Sequence, residues 1–167
     1  MNQYYRPNPY SYPSNMPAVD SNKSRFIKLS DYGPYPFAVN IEAAAKLNNT
    51  FRTAFWTGNH LQLTLMSLNP GEDIGLEIHN DVDQFIRIEE GRGVLKMGSR
   101  KDRLDFEADV YEDFAFIVPA GTWHNLINMG DTELKLYSIY APPQHPHGTI
   151  HETKSEAEAA EEHNNKY

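Results

Sequence analysis

Alternating apolar and polar residues mark the middle of this chain. In residues 61–68 (LQLTLMSL) and 134–140 (LKLYSIY), every second side chain belongs to the same face. Alternation with a period of two is typical of β-strands that bury one face. Residues 114–118 (FAFIV) are apolar throughout, which predicts a buried strand. Weaker alternation is found at residues 52–56, 85–88, 93–97 and 104–108.

Both ends of the chain lack this pattern. Residues 1–22 are rich in Tyr, Pro, Asn and Ser, and their frequent prolines argue against a helix or a central strand, so we expect a disordered arm. Residues 23–143 are predicted to form the β domain, and residues 144–167 a C-terminal extension. In this extension, Thr153 and Glu156 fit a capping box that opens a short acidic helix. Because this helix has little apolar face, we expect it to be exposed.

Composition limits the classes of partner and site. The chain has 167 residues, a formal net charge of −8 and no cysteine. The negative charge argues against nucleic acid as a partner. The lack of cysteine excludes disulfides and thiolate metal sites, so any metal must use nitrogen and oxygen ligands. No stretch is long and apolar enough for a membrane span or a signal peptide, so we expect a cytoplasmic protein without a membrane partner.

The first stretch with candidate chemistry spans residues 71–91 (GEDIGLEIHNDVDQFIRIEEG). It places Glu77, His79 and Gln84 between its two terminal glycines. Side chains on a strand alternate between faces, so Glu77 and His79 are expected to point the same way. The polar turn that follows them can return Gln84 on the next strand, facing the same side.

The second stretch spans residues 119–128 (PAGTWHNLIN) and contains Pro119, Gly121, His124 and Asn128. Together, the two stretches resemble the signature motifs of the cupin superfamily, G-x5-H-x-H-x4-E-x6-G and G-x5-P-x-G-x2-H-x3-N. The chain departs from them in three places. Glu77 stands where the family usually has its first histidine, Gln84 where it has the glutamate, and Asp113 where it has the glycine that opens the second motif.

The resemblance implies an all-β fold, the cupin double-stranded β-helix or jelly-roll barrel, with short helices at its edges. It also implies one divalent metal ion, which would be zinc, manganese, iron or nickel, held by Glu77, His79, Gln84 and His124. Imidazole and carboxylate ligands suit these metals. The alternative is that the four side chains form a hydrogen-bonded network inside a metal-free barrel.

Three functions stay open at this point. Type I phosphomannose isomerases bind zinc with one Glu, two His and one Gln, and small cupins similar to this chain are commonly described as mannose-6-phosphate isomerases. The first hypothesis is therefore a metal-dependent enzyme that acts on a small molecule, a sugar-phosphate aldose–ketose isomerase. The second is a non-haem Fe(II) dioxygenase, which commonly uses two histidines and one carboxylate. A hydrophobic substrate for it would suit the apolar residues near the motifs, Ile86, Phe116, Trp123 and Leu126. The third is a non-catalytic metal- or sugar-binding barrel.

The sequence pattern identifies no catalytic residue and no residue that would bind an organic cofactor. Three cations occur on predicted strands, Arg52, Arg87 and Lys96, but spacing ties none of them to the metal ligands. His145, His147 and His151 are a weak signal for a second metal site, and a solvated segment packing over the barrel is the favoured interpretation. Cupins of this size usually pair through their sheets, which predicts a homodimer.

Overall fold

The structure, a computed structural model, describes residues 27–164. The helices are α1 (Ile41–Leu47) and α2 (Lys154–Asn164). The strands are β1 (Arg52–Thr57), β2 (Gln62–Leu68), β3 (Asp83–Glu90), β4 (Arg92–Gly98), β5 (Phe106–Tyr111), β6 (Ala115–Val118), β7 (Trp123–Asn128), β8 (Leu134–Ala141) and β9 (Ile150–His151). The predicted arm, residues 1–22, lies outside the described residues, and the domain boundaries stay predictions.

The strands form two antiparallel sheets. The larger sheet has the order β6-β3-β8-β2-β1-β9, and the smaller has the order β5-β4-β7. Gly91 joins β3 of the larger sheet to β4 of the smaller one with a φ of 89°, a left-handed conformation that glycine adopts readily. A side chain at Gly91 would also meet the backbone of Glu133 at 2.8 Å. The predicted all-β double-stranded β-helix with short helices at its edges is confirmed.

Two apolar clusters hold the fold together. The inner cluster lies between the sheets, because it combines Ile86 and Leu136 of the larger sheet with Leu95 and Leu126 of the smaller one. Complete burial of such a side chain stabilises a fold by roughly 1.5–3 kcal/mol. An outer cluster packs α1 against the larger sheet and includes Leu65 of β2. The face of β2 that carries Gln62, Thr64 and Met66 therefore lines the barrel.

Asn128, at the end of the second motif, has a structural role. Its Nδ2 donates to the backbone oxygens of Leu68 and Thr132, each at 2.9 Å, and its Oδ1 accepts from the backbone N–H of Gly130 at 2.8 Å. Its side chain thereby joins three separate backbone segments. Asp113, which replaces the glycine of the motif, adopts a φ of 71°. This left-handed conformation explains why glycine is usual there, and Asp tolerates it better than most residues do.

One prediction about burial was wrong, and the predicted exposure of α2 holds for most of its described residues but not for Ala157. Residues 114–118 are not a buried strand, because β6 lies at the edge of the larger sheet and leaves Phe114 and Ile117 exposed. Helix α2 is not simply exposed, because Ala157 is buried in the inner cluster. The predicted capping interactions are present at its start, where the Glu156 N–H donates to Thr153 Oγ1 at 3.3 Å. No helix within residues 27–164 is long and apolar enough to cross a membrane.

Candidate metal centre

Backbone pairing between the two motifs brings Glu77 and His124 face to face. The Glu77 N–H donates to the His124 carbonyl at 3.1 Å, and the His124 N–H donates to the Glu77 carbonyl at 3.0 Å. Two residues further on, the His79 carbonyl accepts from the N–H of Gly121 at 2.8 Å. The first motif therefore runs antiparallel to the start of β7, and alternation places the side chains of Glu77 and His79 on one side, as predicted.

These three side chains form one cluster of possible metal ligands. Glu77 Oε1 lies 3.3 Å from His79 Nε2 and 3.3 Å from His124 Nε2. One ligand atom from each of the three residues lies within 4.8 Å of the others. Two ligands bound to one zinc ion at about 2.1 Å with tetrahedral geometry are separated by about 3.4 Å, so the observed spacing suits a single small ion.

The histidine nitrogens that face the cluster are the ones without hydrogen-bond partners. His124 Nδ1 lies 3.0 Å from the Thr122 carbonyl oxygen, which can only accept, so Nδ1 carries the proton. In the neutral ring, this leaves the lone pair of Nε2 directed at the cluster, which is the tautomer that a metal ligand requires. His79 Nε2 and His124 Nε2 are both buried without an aligned hydrogen-bond partner among the described residues. An ion bound between them would satisfy both atoms, so the donor set fits a divalent metal.

The electrostatics keep Glu77 available as an anionic ligand. Burial raises the pKa of Glu77, but contacts with the His124 and His79 rings, which lower this pKa when Nε2 carries a proton in the ion-free cluster, and the positive charge of Arg52 outweigh burial and hold it well below its usual value. Arg52 itself is 1 % exposed. Glu77 is therefore ionised at neutral pH and contributes one negative charge to the cluster.

Gln84, the fourth predicted ligand, lies on β3 and is also buried. Its Nε2 donates to Ser138 Oγ at 2.8 Å, while its Oε1 has no partner among the described residues. The adjacent residues of β3 alternate as predicted, with Ile86 and Ile88 inward and Arg87 partly exposed and paired with Asp113. The free Oε1 is compatible with metal binding, and the assignment of Gln84 as a ligand stays a prediction.

Comparison with known proteins agrees with this geometry. The cupin domain family profile matches residues 64–140. Over 142 residues, the chain is 67% identical to the uncharacterized protein YrkC of Bacillus subtilis, covering 85% of this chain and 76% of that protein. This chain belongs to the cupin superfamily. The uncharacterized protein L612 of Acanthamoeba polyphaga mimivirus is 44% identical over 115 residues, which cover 68% of this chain and 70% of that protein.

The crystal structure of BH2720 from Bacillus halodurans is similar to this cupin with a TM-score of 0.77. The two are 63% identical, and the match covers 78% of this chain and 98% of that one. None of these three relatives is named for a reaction. The residues around the cluster of possible metal ligands therefore carry the information about its chemistry.

The buried ring of Tyr140 packs between His79 and His145 beside the cluster. The ring centroid of Tyr140 lies 5.7 Å from that of His79 and 5.2 Å from that of His145, edge to face in both cases. Burial, together with the negative charge of Glu77, raises the pKa of Tyr140 to about 12, so its phenol stays protonated. Burial and the charge of Arg52 lower the pKa of His145 to about 3, so its ring stays neutral.

Gln62 fixes the segment that carries His145. Its Nε2 donates to the His145 carbonyl at 2.8 Å, and its Oε1 accepts from the His145 N–H at 2.9 Å. The segment therefore packs over the barrel, as favoured from the sequence, but His145 points inward rather than to solvent. His147 lies elsewhere, near Asp31 and the Gly33 carbonyl. Among residues 27–164, the three C-terminal histidines do not assemble a second metal cluster.

Two small cavities adjoin the cluster. One, of about 220 Å³, is lined by Glu77, His79, Gln144, His145 and Glu161, with Ile78 and Pro146. The other, of about 210 Å³, includes Arg52, Glu77, Lys154 and Glu161 in its wall. Sequence reasoning missed His145 and Glu161 and left Arg52 unplaced. No spacing could reveal them, because they reach the cluster from strand β1, the 144–149 segment and helix α2.

Proposed function

We propose that this cupin is a divalent-metal-dependent enzyme that acts on a small polar molecule, with sugar-phosphate aldose–ketose isomerisation as the first candidate reaction. The observation that carries the proposal is the polar cavity beside the three-ligand cluster. Its volume of about 220 Å³ equals that of roughly seven water molecules at about 30 Å³ each, which suits a small substrate. A wall of carboxylate, imidazole and amide groups suits hydroxyl-bearing molecules better than apolar ones.

Glu77, His79 and His124 would hold the metal, with Gln84 as the proposed fourth ligand. A bound divalent ion supplies Lewis-acid stabilisation of negative charge that develops on a substrate oxygen. His124 is fully buried and Glu77 and His79 are mostly buried, which strengthens electrostatic interactions at the site relative to bulk water.

His145 would orient the substrate, and the buried ring of Tyr140, which does not line the cavity, would support the His145 ring from behind. His145 Nε2 is buried without a hydrogen-bond partner among the described residues, so it can accept a hydrogen bond from a substrate hydroxyl. Its lowered pKa makes it a weak base, and we assign it this orienting role only. The protonated phenol of Tyr140 contributes a rigid, neutral surface between His79 and His145. No residue is assigned as the general base.

The second candidate is a non-haem Fe(II) dioxygenase, favoured by the composition of the cluster, two histidines and one carboxylate. The apolar residues that were expected to favour a hydrophobic substrate do not form the cavity beside the cluster. Ile86 and Leu126 belong to the inner core. Phe116 packs against that core, and Trp123 lies under Lys101. A non-catalytic metal- or sugar-binding barrel is the remaining alternative.

The experiment reconstitutes the protein separately with zinc, manganese, nickel and Fe(II). Each form is incubated with mannose 6-phosphate in D₂O, and NMR follows deuterium incorporation at the carbon next to the carbonyl. We expect metal-dependent exchange that is lost in His79→Ala. Oxygen consumption by the Fe(II) form, with no exchange in any form, would favour the dioxygenase. Metal-loaded protein that is inert in both assays across a panel of sugar phosphates would favour the non-catalytic barrel.

A further inference from the structure

Arg52 is a buried cation in the wall of a cavity that Glu77 also lines. It lies on β1, is 1 % exposed, and stacks its guanidinium 5.5 Å from the ring centre of Phe51. Its Nη1 donates to Glu161 Oε1 at 3.3 Å, while its Nε has no hydrogen-bond partner among the described residues. A guanidinium offers five N–H donors in a fixed fork, so the Nε donor at least is unused and could bind an oxyanion.

The charges of Arg52, Glu77 and Glu161 do not balance once a divalent ion is bound at the cluster. Arg52 and Glu77 alone balance each other, and a divalent ion at the cluster would leave an excess of two positive charges. Glu161 compensates for only one of them, and its side chain is 50 % exposed on helix α2. A buried site with surplus positive charge is costly unless an anion enters it.

Glu161 also borders both cavities that meet Glu77. Its carboxylate occupies the end of the guanidinium that an incoming carboxylate or phosphate would use. Helix α2, which carries it, is held by a few contacts, chiefly the buried Ala157 and the ion pair between Lys154 and Asp73. The pair between Arg52 and Glu161 joins a buried group to a partly solvated one, so an anion can replace Glu161 at low cost.

We propose that Arg52 binds the anionic head group, carboxylate or phosphate, of the substrate, and that Glu161 occupies this position until the substrate displaces it. The inference rests on the proposed metal-dependent function and defines its substrate class as small oxyanions. Arg52 is a substrate-binding residue in this account, and Glu161 is a carboxylate that competes with the substrate.

The test measures the binding of malonate, inorganic phosphate and neutral malonamide to zinc-loaded protein by isothermal titration calorimetry. We expect the two anions to bind and malonamide not to bind. Removing the competitor in Glu161→Gln is expected to tighten anion binding by about two- to fivefold, the range for a partly exposed ion pair. Arg52→Gln is expected to weaken it by more than about tenfold, because charged hydrogen bonds to the anion are lost. A preference for phosphate or for malonate would identify the head group.

A second variant, Arg52→Lys, is included in case Arg52→Gln fails to fold. It keeps the positive charge but loses the planar, forked arrangement of N–H donors, and it is expected to bind the anions more weakly than the wild type. The matched control is Arg100→Gln. Arg100 is an exposed arginine paired with Asp102 and lines neither cavity beside Glu77, so this variant should bind like the wild type. Unchanged affinity in Glu161→Gln, Arg52→Lys and Arg52→Gln would overturn the inference. Zinc content is measured on the same samples. If the variants retain zinc and their anion binding is unchanged, this inference alone is refuted. If the wild type binds no zinc, the proposed function itself is refuted.

Discussion

Replacing Gln84 with glutamate gives a sharp test of whether Gln84 faces the metal. The substitution keeps the size of a side chain that is 2 % exposed and adds one negative charge. The Ser138 hydroxyl, which now accepts from Gln84 Nε2 at 2.8 Å, can rotate and donate to the new carboxylate. The hydrogen bond is therefore preserved, and the effect of the substitution is mainly electrostatic.

The expected effects have opposite signs with and without metal. Without metal, a carboxylate buried at this position is expected to lower the free energy of unfolding by about 1–3 kcal/mol. With a divalent ion about 4 Å away at an effective dielectric constant of about 20, attraction of about 8 kcal/mol exceeds repulsion by Glu77 of about 4 kcal/mol. After desolvation of the new charge, a gain of about 1–2 kcal/mol remains. This corresponds to roughly 5- to 30-fold tighter metal binding.

The assay combines thermal melts of the metal-free proteins with zinc titrations against a chromophoric chelator. Gln62→Glu serves as the matched control, because Gln62 is equally buried but both of its amide atoms already bond the 144–145 backbone. We expect Gln62→Glu to lower stability without tightening zinc binding. Weaker zinc binding in Gln84→Glu would contradict the reasoning and would place Gln84 outside the ligand set.

Three further predictions concern stability and assembly. Asn128→Ala should lower the free energy of unfolding by about 2–4 kcal/mol, because it removes the partners of one buried and two partly buried backbone groups. Urea denaturation beside the exposed Asn80→Ala checks this, and equal stability of the two variants would refute it. Deleting residues 1–21, predicted to be a disordered arm, should change the melting temperature little, and a drop of more than about 5 °C would contradict that prediction. The expected homodimer should appear as twice the chain mass in light scattering after gel filtration, and a monomer would exclude it.

The grouping of Glu77, His79 and His124 could be predicted because both stretches resemble the cupin motifs and because part of the geometry is local; metal binding by these residues stays a prediction. Glu77 and His79 are two residues apart on an extended segment, so their shared direction follows from strand alternation. His124 follows a Pro-x-Gly turn, and pairing of its backbone with Glu77 completes the cluster. The left-handed conformation of Asp113 and the bond between Asn128 and Gly130 also belong to local turns, whereas the bond between Asn128 and Leu68 does not.

The surroundings of the cluster could not be predicted, because they depend on long-range packing. Arg52 and Glu161 are 109 positions apart, and only the path of α2 across the barrel brings them together. Helix α2 attaches through the small side chain of Ala157 and through ion pairs, so its sequence shows no apolar stripe. The burial of residues 114–118 was mispredicted for a related reason: composition does not show whether an apolar strand lies at the edge of a sheet.

The central claim is that Glu77, His79 and His124 bind one divalent ion. Elemental mass spectrometry of the purified protein, beside His124→Ala, tests it most directly. We predict about one equivalent of metal in the wild type and its loss in the variant, with circular dichroism confirming that the variant keeps its β-structure. Iron would favour the dioxygenase, and zinc, manganese or nickel the isomerase. Full metal occupancy in His124→Ala would contradict the account. So would a wild type that binds no metal even after addition of excess zinc, iron, manganese or nickel.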